Sequence, residues 1–273
     1  MIIDGKAIAA DIRQELKERI VKLGQQIKLT VIIVGDNPAS RIYVRNKKRA
    51  CEQVGMESEI LSLPADIETS TLLKTVAALN GDPKVNGILV QLPLPPHIDE
   101  MAVIEHIAPE KDVDGFHPIN VGRLSIGLPG LRPCTPAGVM ELLYRSGISP
   151  AGKQAVIVGR SNIVGKPLAM MIGAADATVT VVHSKTPDAR ALMRTADILV
   201  VAVGRPRFIT ADDVKRDAVI IDVGINRLPD GTLCGDVDFD AVAPLVRAIT
   251  PVPGGVGPMT IAMLLKNCLA TVI

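Results

Sequence analysis

The chain has 273 residues and a formal net charge of +1, with 48% hydrophobic and 22% charged residues. This composition supports a sizeable core, and the balanced charge gives no reason to expect binding to nucleic acid or an acidic membrane surface. The four cysteines and four histidines show no disulfide or metal-ligand spacing, and no apolar run is long enough for a signal peptide or a membrane span. We therefore expect a cytoplasmic protein with reduced thiols, no metal and no membrane contact.

Strands and helices alternate along the first half of the chain, which predicts an α/β fold with a parallel sheet and crossover helices. Short aliphatic runs predict the strands, at Leu29–Val34, Glu57–Leu63 and Val85–Val90. Amphipathic or turn-free segments predict the helices, at about residues 6–23, 40–51, 67–79 and 99–107.

The segment Ser40–Cys51 contains no Gly or Pro and predicts a helix with Ser40 as its N-cap. Tyr43 and Lys47 are then one turn apart on the same face. The chain has only two Tyr, three Phe and no Trp, so an aromatic ring beside a cation is unusual here. A ring that stacks on a flat ligand, next to an amine that exchanges protons, indicates a reaction site. A solvated basic helix face is the alternative.

Two more polar residues in the same half are candidates, one at the end of a predicted strand and one in a predicted loop. Gln91 comes directly after the strand Val85–Val90 and before a Pro-rich turn, and Asp114 lies in a charged loop before a Gly. Ligands of open α/β sheets bind at the carboxyl ends of the strands, which makes Gln91 a candidate site residue. Support of the turn by Gln91 and an Asp-Gly turn at Asp114 are the structural alternatives.

Residues 118–150 are rich in Gly and Pro, which is typical of a domain boundary, and contain a predicted helix at Ala137–Arg145.

The strand–helix pattern then restarts: strand Gln154–Val158, the turn from Gly159 to Pro167, an apolar helix and strand Thr178–Val182. Strands at Ile198–Val203 and Ala218–Val223 follow. This pattern is typical of dinucleotide binding, with Ser161 in place of the second Gly of the usual fingerprint and Gly165 as the next one. A Walker A phosphate loop is excluded by its glycine spacing and by Pro167.

The end of the strand Thr178–Val182 favours NADP over NAD. NAD-specific folds usually place an acid there for the ribose hydroxyls, whereas this chain continues with His183, Ser184 and Lys185. A 2′-phosphate suits Ser184 together with Arg160 as the nearby cation.

The segment Thr250–Thr260 contains three glycines and leads into an apolar helix. Glycines allow the backbone to approach a ligand closely, and free amides at a helix start suit polar groups. A linker is the alternative, although this segment is rich in Pro and poor in Ser, Asp and Lys.

Several motifs together resemble one family. They are Asp36-Asn-Pro-Ala-Ser40 with Tyr43-Val-x-x-Lys47, Gln91-Leu-Pro-Leu-Pro95, Lys111-Asp-Val-Asp-Gly-Phe116, Arg132-Pro-Cys-Thr-Pro136, Gly159-Arg-Ser-x-x-Val-Gly-x-Pro167, His183-Ser-Lys-Thr186, Asp222-Val-Gly-Ile-Asn226 and Thr250-Pro-Val-Pro-Gly-Gly-Val-Gly-Pro-Met-Thr260. The chain thus resembles, over almost its whole length, the bifunctional methylenetetrahydrofolate dehydrogenase/methenyltetrahydrofolate cyclohydrolases of one-carbon metabolism.

The resemblance implies two domains that face each other across a cleft, and a homodimer. A folate-binding catalytic domain would span residues 1–117 and be completed by a C-terminal helix at 258–273, and a Rossmann NADP-binding domain would span 118–257. It implies tetrahydrofolate derivatives as substrates, with the preference for polyglutamylated forms left open, and a role in tetrahydrofolate interconversion and purine biosynthesis.

The resemblance also implies roles for individual residues. Catalysis would depend on Lys47, with Gln91 positioning it, and on Asp114, which binds the pterin, while Tyr43 stacks on the folate. The remaining substrate contacts would come from Pro251, Gly254 and Gly255. The cofactor would be bound by Gly159, Arg160, Ser161, Gly165, Ser184 and Ile225. Where many relatives have Lys-x-Lys, this chain has Lys47-Lys48-Arg49, which keeps the charge.

The family's two reactions are oxidation of methylenetetrahydrofolate to methenyltetrahydrofolate and hydrolysis of that product to formyltetrahydrofolate, and they have different chemical requirements. Hydride removal from the methylene carbon gives a cation stabilised by two nitrogens, so it needs alignment more than acid–base help. Ring opening by water needs a proton shuttle, which suits Lys47. The alternatives are a monofunctional dehydrogenase, another NADP-dependent α/β dehydrogenase, and a non-catalytic dinucleotide sensor.

Overall fold

The computed structural model describes residues 1–38 and 40–273, and the chain folds into two compact units. We call Asp11–Cys134 with Ile261–Ile273 the first unit, and Met1–Ala10 with Thr135–Thr260 the second unit. Each unit therefore joins segments that are distant in the sequence.

The first unit is built on a parallel sheet in the order β2–β1–β3. Its strands are β1 (Lys28–Val34), β2 (Glu57–Leu63) and β3 (Gly87–Val90). The helices in this half of the sequence are α1 (Gly5–Leu23), α2 (Pro38–Val54), α3 (Thr69–Gly81), α4 (Glu100–His106) and α5 (Pro118–Ser125). The central strand β1 is buried along nearly its whole length, as expected for a parallel strand with neighbours on both sides. The predicted parallel α/β architecture is confirmed.

The second unit contains a five-stranded parallel sheet in the order β10–β7–β6–β4–β5. The strands are β4 (Gln154–Val158), β5 (Thr178–Val182), β6 (Ile198–Val201), β7 (Val219–Asp222) and β10 (Ala248–Ile249), beside an antiparallel pair, β8 (Asn226–Arg227) and β9 (Leu233–Cys234). The helices are α6 (Cys134–Arg145), α7 (Gly165–Gly173), α8 (Ala189–Met193), α9 (Phe239–Val242) and α10 (Val256–Ala270), of which α10 continues into the first unit. Short 3-10 turns occupy Ala211–Asp213 and Ala243–Leu245.

The order of the five strands reverses at β4, which pairs with β5 on one side and β6 on the other. In an open parallel sheet, this reversal leaves a crevice at the carboxyl ends of the strands where ligands bind. The second unit thus has the topology of a dinucleotide-binding fold.

One local prediction was wrong. Ser40 does not cap its helix: α2 begins at Pro38, and the Asn37 side chain accepts a hydrogen bond from the Ser40 amide at 3.1 Å. Within the predicted boundary segment, Pro118 starts helix α5, and His117 Nδ1 accepts from the Ile119 amide at 3.1 Å. A proline at the first helical position needs no intrahelical donor, so this Pro promotes a helix rather than ending one.

Within the described part of the chain, no helix combines the length and apolar character needed to cross a membrane.

Candidate functional site

Lys47 is the centre of a polar cluster in the first unit. It lies on α2, and only 9% of it is exposed. Its Nζ atom donates a hydrogen bond to Gln91 Oε1 at 3.0 Å. Burial of an ammonium group is costly unless it is hydrogen-bonded, so this contact holds Lys47 in a defined position.

Gln91 is itself fixed from two sides. Its backbone amide donates to Ile32 O in β1 at 2.8 Å, which extends the pairing beyond the end of β3. Its side-chain Nε2 donates to Leu92 O at 2.7 Å. The amide nitrogen is thereby engaged, and the amide oxygen is directed at Lys47. The predicted pairing of these two side chains is therefore present in the structure.

The two aspartates of the loop after α4 have different surroundings. Asp112 is buried and accepts hydrogen bonds from the His117 amide at 2.8 Å, the Asn120 side chain at 3.1 Å and the Gly115 amide at 3.2 Å. Its role is to hold the loop. Asp114 is half-buried and accepts no hydrogen bond from any described residue. Its carboxylate is available to a ligand.

The electrostatics connect Asp114 to Lys47. Burial raises the pKa of Asp114 to about 6, while the nearby Lys47 charge favours the ionised form and Asp112 opposes it. The Asp114 carboxyl can thus change its protonation state near neutral pH. Groups with such shifts concentrate at functional sites.

Tyr43 lies one helical turn before Lys47 and is 45% exposed. A tyrosine so exposed in a chain with few aromatic rings offers a stacking surface. Lys47, Gln91 and Asp114 are thus brought together, with Tyr43 on the same helix as Lys47.

In the second unit, the backbone of the turn between β4 and α7 is closely packed. Gly159 has φ = 122°, and a side chain there would overlap Ala202 O. A side chain at Gly165 would overlap Gly159 O. Ser161 Oγ accepts from the Val164 amide at 3.1 Å and the Gly165 amide at 3.4 Å, which caps the start of α7. These contacts fit the predicted dinucleotide turn, whose glycines permit a ligand to approach the backbone.

A cavity of about 580 Å³ opens beside this turn. Gly159, Arg160 and Ser184, all predicted from the sequence to bind the cofactor, contribute to its lining. Arg190, Arg205 and Phe208 also line it. With Asp188 as the one carboxylate residue among its described lining residues, the cavity carries an excess of positive charge. Such a cavity favours a ligand with several phosphate charges.

Arg190 and Arg205 are the lining residues that the sequence reasoning missed. The guanidinium carbon of Arg205 lies 4.7 Å from the centre of the Phe208 ring, and that of Arg190 lies 5.7 Å from it. Arg190 is also ion-paired with the buried Asp213. The position of Gly204-Arg205 just after β6 was an available signal, since that loop belongs to the carboxyl edge of the sheet.

The remaining predicted residues lie around the loop before α10. Gly254 has φ = 110°, and its carbonyl accepts from the Lys6 amide at 2.9 Å. A side chain at Gly255 would lie 2.6 Å from Pro251 O. Ile225 is 44% exposed, and its Cδ1 atom would lie 3.4 Å from a β-carbon placed at Gly257. Pro251, Gly254, Gly255 and Ile225 thus belong to one part of the second unit, outside the residues that line the arginine-rich cavity.

Among the described residues, no group of three or more His, Cys, Asp or Glu side chains is arranged to hold a metal ion.

The two units define the chain as a two-domain α/β protein with an NAD(P)-type binding unit and a lysine-centred site. Residues 3–114 match the model of the tetrahydrofolate dehydrogenase/cyclohydrolase catalytic domain, and residues 133–273 match that of the NAD(P)-binding domain of the same family. The chain belongs to the tetrahydrofolate dehydrogenase/cyclohydrolase family.

Individual relatives support this assignment. The chain is 60% identical over 269 residues to the bifunctional protein FolD of Moorella thermoacetica, with 97% of this chain and 96% of the relative covered. The crystal structure of the bifunctional FolD from Campylobacter jejuni has a TM-score of 0.97 and 51% identity, with 99% of this chain and 98% of that one covered. The Trypanosoma brucei dehydrogenase-cyclohydrolase, solved with NADP cofactor and an inhibitor, has a TM-score of 0.95 and 42% identity, with 99% and 96% covered.

Proposed function

We propose that this protein oxidises 5,10-methylenetetrahydrofolate to 5,10-methenyltetrahydrofolate with NADP and then hydrolyses the product to 10-formyltetrahydrofolate. The observation that carries the proposal is the partly buried Lys47–Gln91 hydrogen bond near the Asp114 carboxylate, which accepts no hydrogen bond from the residues that the structure describes. A chain of this family that retains this set has the proton-transferring group that ring opening requires.

The dehydrogenase reaction depends on positioning. When bound, NADP supplies the hydride acceptor. Arg160 and Ser184 would bind its 2′-phosphate, while Gly159, Ser161 and Gly165 form the turn that admits the diphosphate. Ile225 would lie along the nicotinamide side. The excess of arginine in the cavity supports NADP over NAD.

The folate side would use the first unit and the glycine-rich loop. Tyr43 would stack on the substrate ring system, and Asp114 would bind the polar edge of the pterin. Pro251, Gly254 and Gly255 would provide backbone contacts. The exposure of Tyr43 and the lack of a described hydrogen-bond donor to Asp114 support these two roles.

In the cyclohydrolase reaction, water adds to the methenyl carbon and one carbon–nitrogen bond breaks. Lys47 would accept a proton from the attacking water and return it to the departing ring nitrogen, while the remaining hydroxyl proton passes to solvent as the formyl group forms. Gln91 would keep the Lys47 amine aligned through its 3.0 Å contact.

We further propose the functional division into a folate-binding catalytic domain at 1–117 with 258–273 and an NADP-binding domain at 118–257. Family membership also supports a homodimer in the cytoplasm that acts on tetrahydrofolate derivatives. These assignments rest on the resemblance of the motifs.

A spectrophotometric assay with methylenetetrahydrofolate, with NADP and NAD offered in parallel, tests the proposal. Reduction of NADP with little accumulation of the methenyl compound is expected. Accumulation of the methenyl compound would instead support a monofunctional dehydrogenase, and no turnover with either cofactor would contradict the proposal.

The Lys47→Met variant separates the two reactions. We expect cyclohydrolase activity to fall by about 10²- to 10⁴-fold, because the proton shuttle is lost, and hydride transfer to fall much less. Lys48→Met is the matched control and should retain both activities. Equal loss of both activities in Lys47→Met, with substrate binding unchanged, would contradict this division of roles.

A further inference from the structure

Two aspartate carboxylates are buried side by side in the second unit, and the mechanism above does not use them. Asp222 ends β7 and is 3% exposed, and Asp236 follows β9 and is 0% exposed. Neither forms an ion pair with any described Lys, Arg or His. Buried carboxylates are stable only when they are well hydrogen-bonded, and here the backbone supplies the donors.

Asp236 fixes the loop that follows β6. Its Oδ2 atom accepts from the amides of Val203 at 2.7 Å and Gly204 at 2.9 Å. Its Oδ1 atom accepts from the Arg205 amide at 2.8 Å and from Asn226 Nδ2 at 2.9 Å. Because three successive amides donate to one carboxylate, these hydrogen bonds restrain the backbone conformation of the loop.

Asp222 fixes the loop that follows β7. Its Oδ1 atom accepts from the amides of Gly224 at 2.9 Å and Asp236 at 3.0 Å, and its Oδ2 atom accepts from the Val237 amide at 2.8 Å. The Asp222 amide donates to Thr250 Oγ1 at 2.8 Å, which adds the end of β10 to the network.

Glycines leave room for both carboxylates. A side chain at Gly224 would overlap the Asp236 carboxylate, and one at Gly235 would overlap that of Asp222. Burial, together with the neighbouring Asp236 charge, raises the pKa of Asp222 to about 7. The chain thus maintains an acidic group at Asp222 whose ionisation is unfavourable, which is more than a loop needs for stability alone.

The network joins loops at the carboxyl ends of β6, β7 and β10, which are neighbours in the sheet. At these ends a bound dinucleotide lies. We propose that Asp222 and Asp236 are positioning residues for the dehydrogenase reaction, which hold the loops that receive the nicotinamide half of NADP. The inference rests on the proposed function, and neither carboxylate contacts a reacting atom.

The test compares two activities of the same purified full-length variant. In Asp236→Asn, one carboxylate oxygen becomes an NH₂ group that cannot accept from a backbone amide. We expect the dehydrogenase kcat to fall by about 10- to 100-fold, because reaction geometry is lost, while the KM for NADP changes less. Cyclohydrolase activity, assayed on methenyltetrahydrofolate without NADP, should stay within about twofold of the wild type.

Asp197→Asn is the matched control. Asp197 also accepts from a backbone amide, that of Gln154 at 2.9 Å, but it lies at the amino ends of the strands. Both of its activities should stay within about twofold of the wild type. Asn226→Ala is a milder second variant, which removes one of the four donors to Asp236 and should lower the dehydrogenase kcat about threefold.

The outcomes are distinct. A parallel loss of both activities in Asp236→Asn, or an unchanged dehydrogenase kcat in both Asp236→Asn and Asn226→Ala, would overturn the positioning role. An inactive wild-type protein would overturn the proposed function instead. If Asp236→Asn does not fold, Asn226→Ala decides: a selective loss of dehydrogenase kcat supports the proposal, and none contradicts it.

Discussion

Single side chains decide how charge is distributed in the two sites. In the first unit the buried Lys47 is bound to Gln91, and Asp114 accepts no hydrogen bond from a described residue. In the second unit Arg190 is ion-paired with Asp213, whereas no described carboxylate lies within ion-pair distance of Arg160 or Arg205. The groups without partners are the ones that a charged or polar ligand can bind without first breaking an existing contact.

Arg205→Gln should weaken binding of NADP selectively. The guanidinium lines the cavity and is held against Phe208, so its loss removes a cation that the 2′-phosphate can use. We expect the KM for NADP to rise by about tenfold, as for a lost charged hydrogen bond, with the KM for NAD little changed. Steady-state kinetics with both cofactors provide the measurement.

Arg207→Gln is the control for this variant, because Arg207 is exposed and lies outside the cavity lining. An equal rise in both KM values for Arg205→Gln would indicate that Arg205 contacts the adenosine instead of the 2′-phosphate.

Asp114→Asn should change how stability depends on pH. The pKa of Asp114 is about 6 in the folded protein and about 3.9 in an unfolded chain. A raised folded-state pKa means that the folded state holds the proton more tightly. This group therefore contributes stability below about pH 4, which is lost as the pH rises through 6.

The measurement is urea unfolding of both proteins at pH 4.5 and 7.5. When the pH rises from 4.5 to 7.5, the free energy of unfolding of Asp114→Asn should increase by roughly 2 kcal/mol relative to that of the wild type. The same difference at both pH values would show that Asp114 titrates normally in the fold.

At the scale of elements, the regular strands and helices were predictable because aliphatic runs and helical periodicity are local. β2, β4 and β5 have the predicted bounds, and β1 differs by one residue. Gln91 was also predictable, since a Pro-rich turn after a buried strand places it at the sheet edge. Among the cavity arginines, Arg160 was predicted from the glycine-bearing turn, whereas the roles of Arg190 and Arg205 depend on β6 lying beside β4, a pairing that no local pattern specifies.

Helix α10 gives a prediction at this scale. Asn267 Nδ2 donates to Val113 O at 2.8 Å and to Arg132 O at 2.8 Å, within the first unit. Asn267→Leu would leave these carbonyls without that donor, so we expect the free energy of unfolding to fall by roughly 2–4 kcal/mol. Chemical denaturation measures this change.

Thr271→Ala is the control. It removes a hydroxyl bonded to Cys268 O in the same helical turn and should lower the free energy of unfolding by under about 1 kcal/mol. A neutral Asn267→Leu would contradict the structural role of this side chain.

At the scale of the whole molecule, the two units have separate chemical tasks but interleaved sequences. The motifs of the lysine site come from residues 36–116, and those of the dinucleotide turn come from residues 159–186. This order made the two-domain class predictable. The sequence could not show that Met1–Ala10 fold with the second unit, because that pairing depends on a contact between Ile3 and Ile249, far apart along the chain.

The interleaving of the two units delays completion of the first unit during synthesis. The first unit needs both Asp11–Cys134 and Ile261–Ile273, and a ribosome adds about 5–20 residues per second. Translation of the 127 residues that follow Cys134, up to Ile261, therefore takes roughly 6–25 s. Throughout that interval the β2–β1–β3 sheet lacks the helix segment that carries Asn267 and Cys268. The nascent chain thus spends seconds with the first unit unfinished.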